Sequence, residues 1–282
     1  MTHRLALPAL LLGLAALWSQ PVLAEGPIKD PQLELVVKAI LKVKQIDKPV
    51  IDKPVIDEAD LKSLFILDAR NQGIKDLTGL EKCPNLVEVK LSGNEIESLA
   101  PLAELKNIQS LSLSSNKIKD ITPLAGLVKL QHLELEKNQI AALTGLEKLD
   151  NLRSLYLSDN QITSLEPIAG LKKLNSLLLD NNQVADLAPV KSLKWLSTLR
   201  LRVNKIQDLS PLSELHELRY TFLEGNPLSD LAPLVAMAKK DTDGEQRFAP
   251  YWRVYLDADK LSDPAKAQLE ELKNLGVRVN PK

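Results

Sequence analysis

The chain has 282 residues, of which 44% are hydrophobic and 26% are charged, so it is neither a disordered chain nor one built to live in a bilayer. Its 36 Lys and Arg residues nearly balance 37 Asp and Glu residues, which gives no electrostatic reason to expect nucleic acid as a partner. One cysteine excludes an intramolecular disulfide, and three histidines leave little material for a metal centre, so we expect no metal or cofactor.

The segment from Met1 to Ala24 has the pattern of an export signal. Arg4 precedes an apolar run from Leu5 to Trp18, and small residues lead to Ala24. This order predicts a signal peptide over residues 1–24, with cleavage after Ala24. The apolar run is shorter than the roughly 20 residues needed to cross a bilayer. We therefore expect no membrane span and a mature protein that is secreted or periplasmic.

Residues 25–63 predict a helical cap at the amino-terminal end. Asp30 followed by proline is typical of the start of a helix. A short motif then occurs twice in tandem over residues 46–55, and its prolines favour extended backbone. Asp57 is placed to cap a second short helix that runs through Leu64.

Residues 64–238 repeat with a period of 22. The template is L-x-x-L-x-L-x-x-N-x-I-x-x-L-x-x-L-x-x-L, and from Leu86 onward its apolar positions are filled by apolar residues everywhere except Thr221. The asparagine of the template is present in seven successive units, as Asn94, Asn116, Asn138, Asn160, Asn182, Asn204 and Asn226. Such a period is typical of a leucine-rich repeat array.

The repeat predicts an α/β solenoid. Each unit supplies a short strand, a turn at the asparagine and a return limb, and neighbouring units stack because one unit cannot bury its own leucines. We expect a curved array with a parallel β-sheet on its concave face and short 3₁₀ or extended limbs on its convex face. The asparagine amide both donates and accepts, so we interpret these seven residues as an architectural ladder.

Residues 239–282 predict an irregular last repeat and an α/β cap. The segment 253–263 echoes the segment 220–230, but an insertion between them makes their spacing longer than one period. This alignment puts Asp259 in the asparagine position. A helix and a final short strand over residues 263–279 are expected to cover the last leucines.

Three segments carry a family resemblance. They are the sequences DPQLE at residues 30–34 and GIKDLTGLE at residues 73–81, and the pair Asn85-Leu86. With the repeat period, they make residues 30–237 resemble the amino-terminal part of internalin-like bacterial leucine-rich repeat proteins. The resemblance implies an exported, curved repeat protein that binds another protein. No immunoglobulin-like domain or wall-anchoring tail is recognisable, so host-cell adhesion is not implied.

A partner-binding patch is predicted on the carboxy-terminal half of the concave face. Side chains alternate along a strand, so the residues that flank the strand leucines face this side. Tyrosine and arginine dominate binding hot spots. The residues concerned are Tyr156, Leu178, Arg200, Arg202, Tyr220 and Phe222. The alternative is that they are scattered surface residues. A protein is the expected partner, and a cell-envelope glycan is the alternative.

The sequence offers one arrangement that resembles a catalytic triad. His132 is aligned between Ser110 and Ser154 on neighbouring strands, with Glu134 nearby. An open sheet face supplies no evident oxyanion donors and no pocket that excludes water. We therefore expect a solvated polar face here and no enzyme activity.

The remaining unusual residues are expected to be structural. Cys83 occupies a position that leucine holds in later repeats, which predicts a buried and unreactive thiol. Trp195, Tyr251, Trp252 and Tyr255 are assigned to packing or to the rim, since the junction with a cap needs bulky side chains.

Overall fold

The computed structural model describes residues 26–44, 56–244, 246 and 248–281. The predicted signal peptide and the tandem motif over residues 46–55 lie outside these residues. In the described part, ten strands form one open, parallel sheet in chain order. The strands are β1 (Ile66–Asp68), β2 (Glu88–Lys90), β3 (Ser110–Ser112), β4 (His132–Glu134), β5 (Ser154–Tyr156), β6 (Ser176–Leu178), β7 (Thr198–Arg200), β8 (Tyr220–Phe222), β9 (Arg253–Tyr255) and β10 (Arg278–Val279).

Short helical segments return the chain between strands. The α-helices are α1 (Pro31–Lys44), α2 (Glu58–Lys62), α3 (Ala232–Thr242) and α4 (Asp263–Asn274). The 3₁₀ turns are Leu80–Lys82, Ala100–Leu102, Thr122–Gly126, Glu166–Ile168, Ala188–Ser192, Ser210–Glu214, Ala249–Tyr251 and Ala258–Lys260. A proline lies at the start of most of the 3₁₀ turns between strands, because its fixed φ suits the first turn of a helix, where its missing N–H is not needed. The predicted curved leucine-rich repeat solenoid is confirmed.

The leucines of successive repeats form one continuous core. In strands such as β2, β5 and β7, the central residue is buried and its two neighbours are partly exposed. Parallel pairing sets equivalent residues side by side, so that Leu155 lies between Leu133 and Leu177. A single apolar cluster therefore extends from Ile28 in the amino-terminal cap to Val277 beside the last strand. Each repeat buries its leucines against the next, as a solenoid requires.

The asparagine ladder joins each repeat to the one before it. The Oδ1 atom of Asn116 accepts the N–H of Ile96 at 3.0 Å, and its Nδ2 atom donates to the carbonyl oxygens of Leu91 at 3.1 Å and Leu113 at 2.9 Å. The same pattern, with one bond to the N–H of an earlier repeat and two bonds to carbonyl oxygens, recurs at all seven asparagines. Backbone groups left unpaired at the turn are thereby satisfied.

The residue that precedes each ladder asparagine, and the residue that precedes Gln72 in the equivalent position of the first repeat, is left-handed. Its φ is positive in eight successive units, at Asn71, Gly93, Ser115, Lys137, Asp159, Asn181, Val203 and Gly225. This conformation turns the chain inward after the strand and brings the following side chain to the ladder. Asparagine, aspartate and glycine tolerate it, whereas a β-branched residue such as Val203 is a genuine outlier there.

Asp30 fastens the amino-terminal cap to the first repeat. Its Oδ1 atom accepts the N–H groups of Gln32 and Leu33 at the start of α1, at 2.9 and 3.1 Å. Its Oδ2 atom accepts the N–H groups of Lys75 and Asp76, at 2.9 and 3.3 Å. Burial raises the pKa of Asp30, but the four N–H donors together outweigh burial and leave this pKa below its usual value.

The second cap helix begins as predicted and ends before Leu64. Asp57 and Asp60 form a reciprocal capping box at its start. The helix ends at Lys62 because the N–H groups of Ser63 and Leu64 bond to Asp60 and Leu61, which tightens the last turn before β1.

The carboxy-terminal end departs from the repeat geometry. The return limb after β8 is the α-helix α3 instead of a 3₁₀ turn, because extra residues are inserted here. Asp259 was aligned with the asparagine ladder, and this alignment is wrong: its side chain is exposed in a 3₁₀ turn. Asn280 instead bonds both backbone groups of Leu256, at 3.0 Å each. The helix α4 and the strand β10 close the stack where the sequence predicted them.

Thr221, the one polar residue in an apolar position, has a partner. It is fully buried in β8, and the indole Nε1–H of the equally buried Trp252 donates to its Oγ1 atom at 2.8 Å. The insertion delivers this tryptophan to the core, and an indole N–H in a core needs an acceptor. The threonine therefore fits the irregular repeat that follows it.

Candidate functional site

The candidate site is the aromatic–arginine patch, defined as Tyr156, Leu178, Arg200, Arg202, Tyr220 and Phe222. Parallel register sets four of these residues in one uninterrupted row across β5 to β8, in the order Tyr156, Leu178, Arg200, Phe222. Tyr220 lies at the other end of β8, and Arg202 follows β7. The register therefore brings the predicted residues onto adjacent strands of the concave face.

The two arginines of the patch are held by carboxylates. The Arg200 guanidinium forms an ion pair with Asp180, whose side chain is only 7% exposed. Asp180 also accepts the backbone N–H of Arg202 at 2.9 Å. Arg202 Nε donates to Glu224 Oε2 at 2.9 Å, and this hydrogen bond raises the pKa of Arg202. Asp180 is therefore a buried support for Arg200.

Phe222 lies at the centre of the ring contacts. The guanidinium carbon of Arg202 is 4.4 Å from its ring centroid, and that of Arg200 is 5.3 Å away. Tyr255 stacks on the same ring, with centroids 4.5 Å apart and planes 7° apart. Cation–π and stacking contacts of this kind fix side chains before any partner arrives. The ring is still only half-buried, so it remains accessible.

Sequence reasoning missed two members of this surface. Tyr255 was assigned to packing or the rim, yet it continues the central row, since β9 pairs with β8 and sets Tyr255 beside Phe222. Arg253 lies beside Tyr220 in the same pairing. The alignment of the two echoing segments, 220–230 and 253–263, pairs the same residues, so the signal was present. The inserted residues obscured it.

The other half of the concave face is polar, and several of its charges are paired. Arg70 pairs with Asp68, and Lys90 pairs with Glu88, both at 2.6 Å. Glu136 is half-buried, and burial together with the nearby charge of Glu134 raises its pKa. These contacts lie within single strands or between neighbours, as expected for a solvated sheet face.

The arrangement around His132 is local. Its Nε2 atom lies 2.9 Å from Glu134 Oε1 on the same strand, and its ring meets Tyr156 edge-on at 5.2 Å. No bond between His132 and Ser110 or Ser154 occurs among the described contacts. The histidine therefore borders the aromatic–arginine patch and is oriented by Glu134.

The tryptophans and the cysteine differ in burial. Trp252 is fully buried, as its assignment to packing predicted, whereas Trp195 is 65% exposed beside Lys194 and His216. Cys83 is fully buried, and burial raises the pKa of its thiol to about 12. The cysteine thus behaves as the small core residue that its position predicted.

The described residues contain neither a metal site nor a membrane-spanning helix. No group of three or more His, Cys, Asp or Glu side chains among them is arranged to hold a metal ion. No helix among them has the length and apolar character needed to cross a membrane.

Asp241, in the acidic segment of the insertion, accepts the N–H groups of Phe248 and Ala249 at 3.0 and 2.8 Å, and so shapes the loop.

This chain is similar to known leucine-rich repeat proteins in both sequence and structure. Residues 106–148 and 150–192 match the family described as leucine rich repeats (2 copies). Internalin C2 of Listeria monocytogenes is 38% identical, with a TM-score of 0.69 over 75% of this chain and 91% of its own. No curated protein sequence matches.

Two more distant structures share the fold. Another internalin of Listeria monocytogenes is 21% identical, with a TM-score of 0.56, and the match covers 93% of this chain and 95% of that one. A leucine-rich repeat protein of Leptospira interrogans is 23% identical, with a TM-score of 0.68, over 79% of this chain and 62% of its own. At these identities the likeness concerns architecture alone.

Proposed function

The chain belongs to the internalin-like bacterial leucine-rich repeat proteins, and from this we propose that it binds a protein partner through the aromatic–arginine patch on its concave face. The leucine-rich repeat fold suggests a protein-interaction module. The main support for this surface comes from Phe222. Its ring is accessible, and Arg200, Arg202 and Tyr255 hold it in place. Rigid aromatic and arginine side chains lose little entropy on binding and are typical anchors.

The distribution of charge supports the same surface. Arg200 and Arg202 already have carboxylate partners, so a partner protein does not have to desolvate isolated charges there. Tyr156 and Leu178 extend the row with apolar area that has no structural reason to lie on a solvated sheet. Apolar groups clustered in this way on a soluble protein are typical of an interaction surface.

We further propose that the protein acts after export and without catalysis. The charged start, the apolar run and the exit at Ala24 support export to the periplasm or the exterior. The open sheet around His132 supports a binding role over an enzymatic one, because the described residues around it form no enclosed site for a transition state. Hydrolysis of esters that is lost in His132→Ala would contradict this part of the proposal.

The test is affinity capture from cell-envelope extract of the native organism with matched variants. Phe222→Ala and Tyr156→Ala are expected to abolish retention of the partner, because they remove anchors and leave no buried charge behind. The control is Phe65→Ala, which removes an exposed phenyl ring at the opposite end of the sheet. Arg200→Ala is made only together with Asp180→Asn, since Asp180 would otherwise be left buried without its partner.

Three results decide the proposal. Retention that survives both Phe222→Ala and Tyr156→Ala would retire the aromatic–arginine patch. Retention that is lost equally in the Phe65→Ala control would place binding elsewhere on the protein. Binding to a glycan array that depends on Phe222, without any retained protein, would favour the cell-envelope glycan over a protein partner.

A further inference from the structure

A groove with three arginines adjoins the aromatic–arginine patch at the carboxy-terminal end of the sheet. This arginine groove has a volume of about 320 Å³ and is lined by Arg219, Tyr220, Tyr251, Arg253 and Arg278. Tyr220 belongs to both surfaces, so the two are continuous. None of the described residues that line the groove carries a carboxylate.

The register of the last three strands creates the concentration of charge. Tyr220 of β8 pairs with Arg253 of β9, and Arg253 pairs with Arg278 of β10. Two arginines are therefore immediate neighbours on adjacent strands, and like charges in this position destabilise a sheet. Arg219 precedes β8 and Tyr251 ends the inserted segment, so the insertion completes the groove.

Aromatic rings hold the guanidinium groups. Arg253 lies over the Tyr220 ring at 5.1 Å and donates through Nη1 to the Tyr220 hydroxyl. Arg219 lies over the Tyr251 ring at 5.5 Å. A guanidinium that stacks on a ring through its face keeps in-plane N–H groups for hydrogen bonds. Tyr220 thus fixes Arg253 without neutralising it.

The contrast with the patch arginines is informative. Arg200 and Arg202 each form an ion pair with a carboxylate of the chain. Among the residues that the structure describes, no acidic side chain forms an ion pair with Arg253 or Arg278. The first pair of arginines supports Phe222, whereas the second pair presents positive charge at the edge of the proposed interface.

On the premise of the proposed function, we propose that the arginine groove binds the carboxylates of an acidic segment in the protein partner. The partner would place apolar side chains against Phe222 and Tyr156 and acidic side chains beside Arg253 and Arg278. Arginine binds carboxylates through two parallel hydrogen bonds, and charge complementarity of this kind sets the orientation of a partner.

The test uses the full-length mature protein and two labelled peptides, hexaglutamate and hexaglutamine, in fluorescence anisotropy at low salt. Hexaglutamate is expected to bind and hexaglutamine is not. The double variant Arg253→Gln, Arg278→Gln is expected to weaken hexaglutamate binding about tenfold or more. The matched control is Arg153→Gln, an exposed arginine that holds the position of Arg219 three repeats earlier. Salt should weaken the binding, since exposed charges are screened.

Several outcomes would overturn the arginine groove as an acid-binding site. They are equal binding of both peptides, absence of hexaglutamate binding, an equal loss in Arg153→Gln, and arginine-dependent binding of polygalacturonate but not of hexaglutamate. Partner capture separates this inference from its premise. Capture that needs Phe222 but not Arg253 and Arg278 would keep the proposed function and remove the acidic segment. If peptide binding depends on the arginines but partner capture does not depend on Phe222, the arginine groove would remain an acid-binding site and the proposed function would be removed.

Discussion

The regular repeats of residues 86–218 and the irregular end of residues 219–281 contain the same kind of short parallel strand. They differ in the residues that occupy and surround that strand. In the regular part, each apolar position and each asparagine performs one task, and the units are nearly interchangeable. At the irregular end, an insertion changes the limb, introduces a buried tryptophan and adds aromatic residues to the sheet. The site that we propose lies where the second region meets the first.

On the proposed function, this difference separates the residues that stabilise the solenoid from those that would recognise a partner. Uniform positions bury leucine and satisfy backbone groups, so they carry no information about a partner. The residues that break the pattern, such as Thr221 and Tyr255, do so next to the aromatic–arginine patch and the arginine groove. Exceptions to the repeat are therefore the places to test, and their energies can be compared with those of the regular positions.

The largest effect is expected within the regular part, at Asn116. Asn116→Ala removes the partners of one buried N–H and of the carbonyl oxygens of Leu91 and Leu113, so it should lower the free energy of unfolding by about 3 kcal/mol or more. Urea denaturation followed by circular dichroism measures the change. The control is Asn107→Ala, whose amide bonds the carbonyl oxygen of Pro84 at an exposed site. Equal losses in the two variants would mean that the ladder is not special.

Most of the fold could be predicted because the period itself fixes geometry. A constant repeat length sets which side chains stack, so the strands, the core and the ladder follow from the sequence. The left-handed conformation of the residue before each asparagine does not follow from the sequence. The residues at this position, which include Gly93, Lys137 and Val203, share no chemical property. Their common property is a backbone angle, which the side chains there do not reveal.

The candidate site could be predicted only in part. The six patch residues were predicted to share one face because strand alternation assigns them to it, and their use in binding stays a prediction. Tyr255 was missed although it aligns with Phe222, because the insertion before it shifts the period. The groove between Arg219 and Tyr251 depends on the path of the inserted segment, and no repeat specifies that path. Sequence periodicity loses its predictive power at the insertion.

A smaller effect is expected at the irregular end, where Thr221 meets Trp252. Thr221→Val leaves the buried indole N–H without an acceptor, so it should destabilise the protein by about 1–2 kcal/mol. Trp252→Phe alone creates a cavity, but in that background Thr221→Val should cost much less. A double-mutant cycle of unfolding free energies measures the coupling. Additive effects would show that the hydrogen bond does not explain the polar residue in the apolar position.

The next effect is a gain in stability, at the last regular repeat before the irregular end. Val203 is β-branched, 55% exposed and left-handed with a φ of 52°. Val203→Asn should raise the free energy of unfolding by about 1 kcal/mol, because asparagine tolerates this angle. The matched control is Val128→Asn, at another exposed valine without a positive φ, where little change is expected. A gain of similar size in the control would assign the effect to removal of exposed apolar surface instead of backbone strain.

The smallest effect is expected at Cys83, which stands where later repeats have leucine and leaves the fold of its repeat unchanged. Burial raises the pKa of its thiol to about 12, so the folded protein keeps the proton at a pH where an unfolded thiol, with a pKa of about 8.5, loses it. The stability supplied by this group is therefore complete below about pH 8.5 and declines as the pH rises further. At about pH 9 the loss should remain under about 1 kcal/mol relative to a Cys83→Val variant measured in parallel. Rapid reaction of the native protein with a thiol reagent, or identical pH profiles of the two proteins, would contradict a buried thiol. Thr221 departs from the repeat and has a hydrogen-bond partner in Trp252, whereas Cys83 departs from it as a simple buried side chain. Either result would remove this contrast.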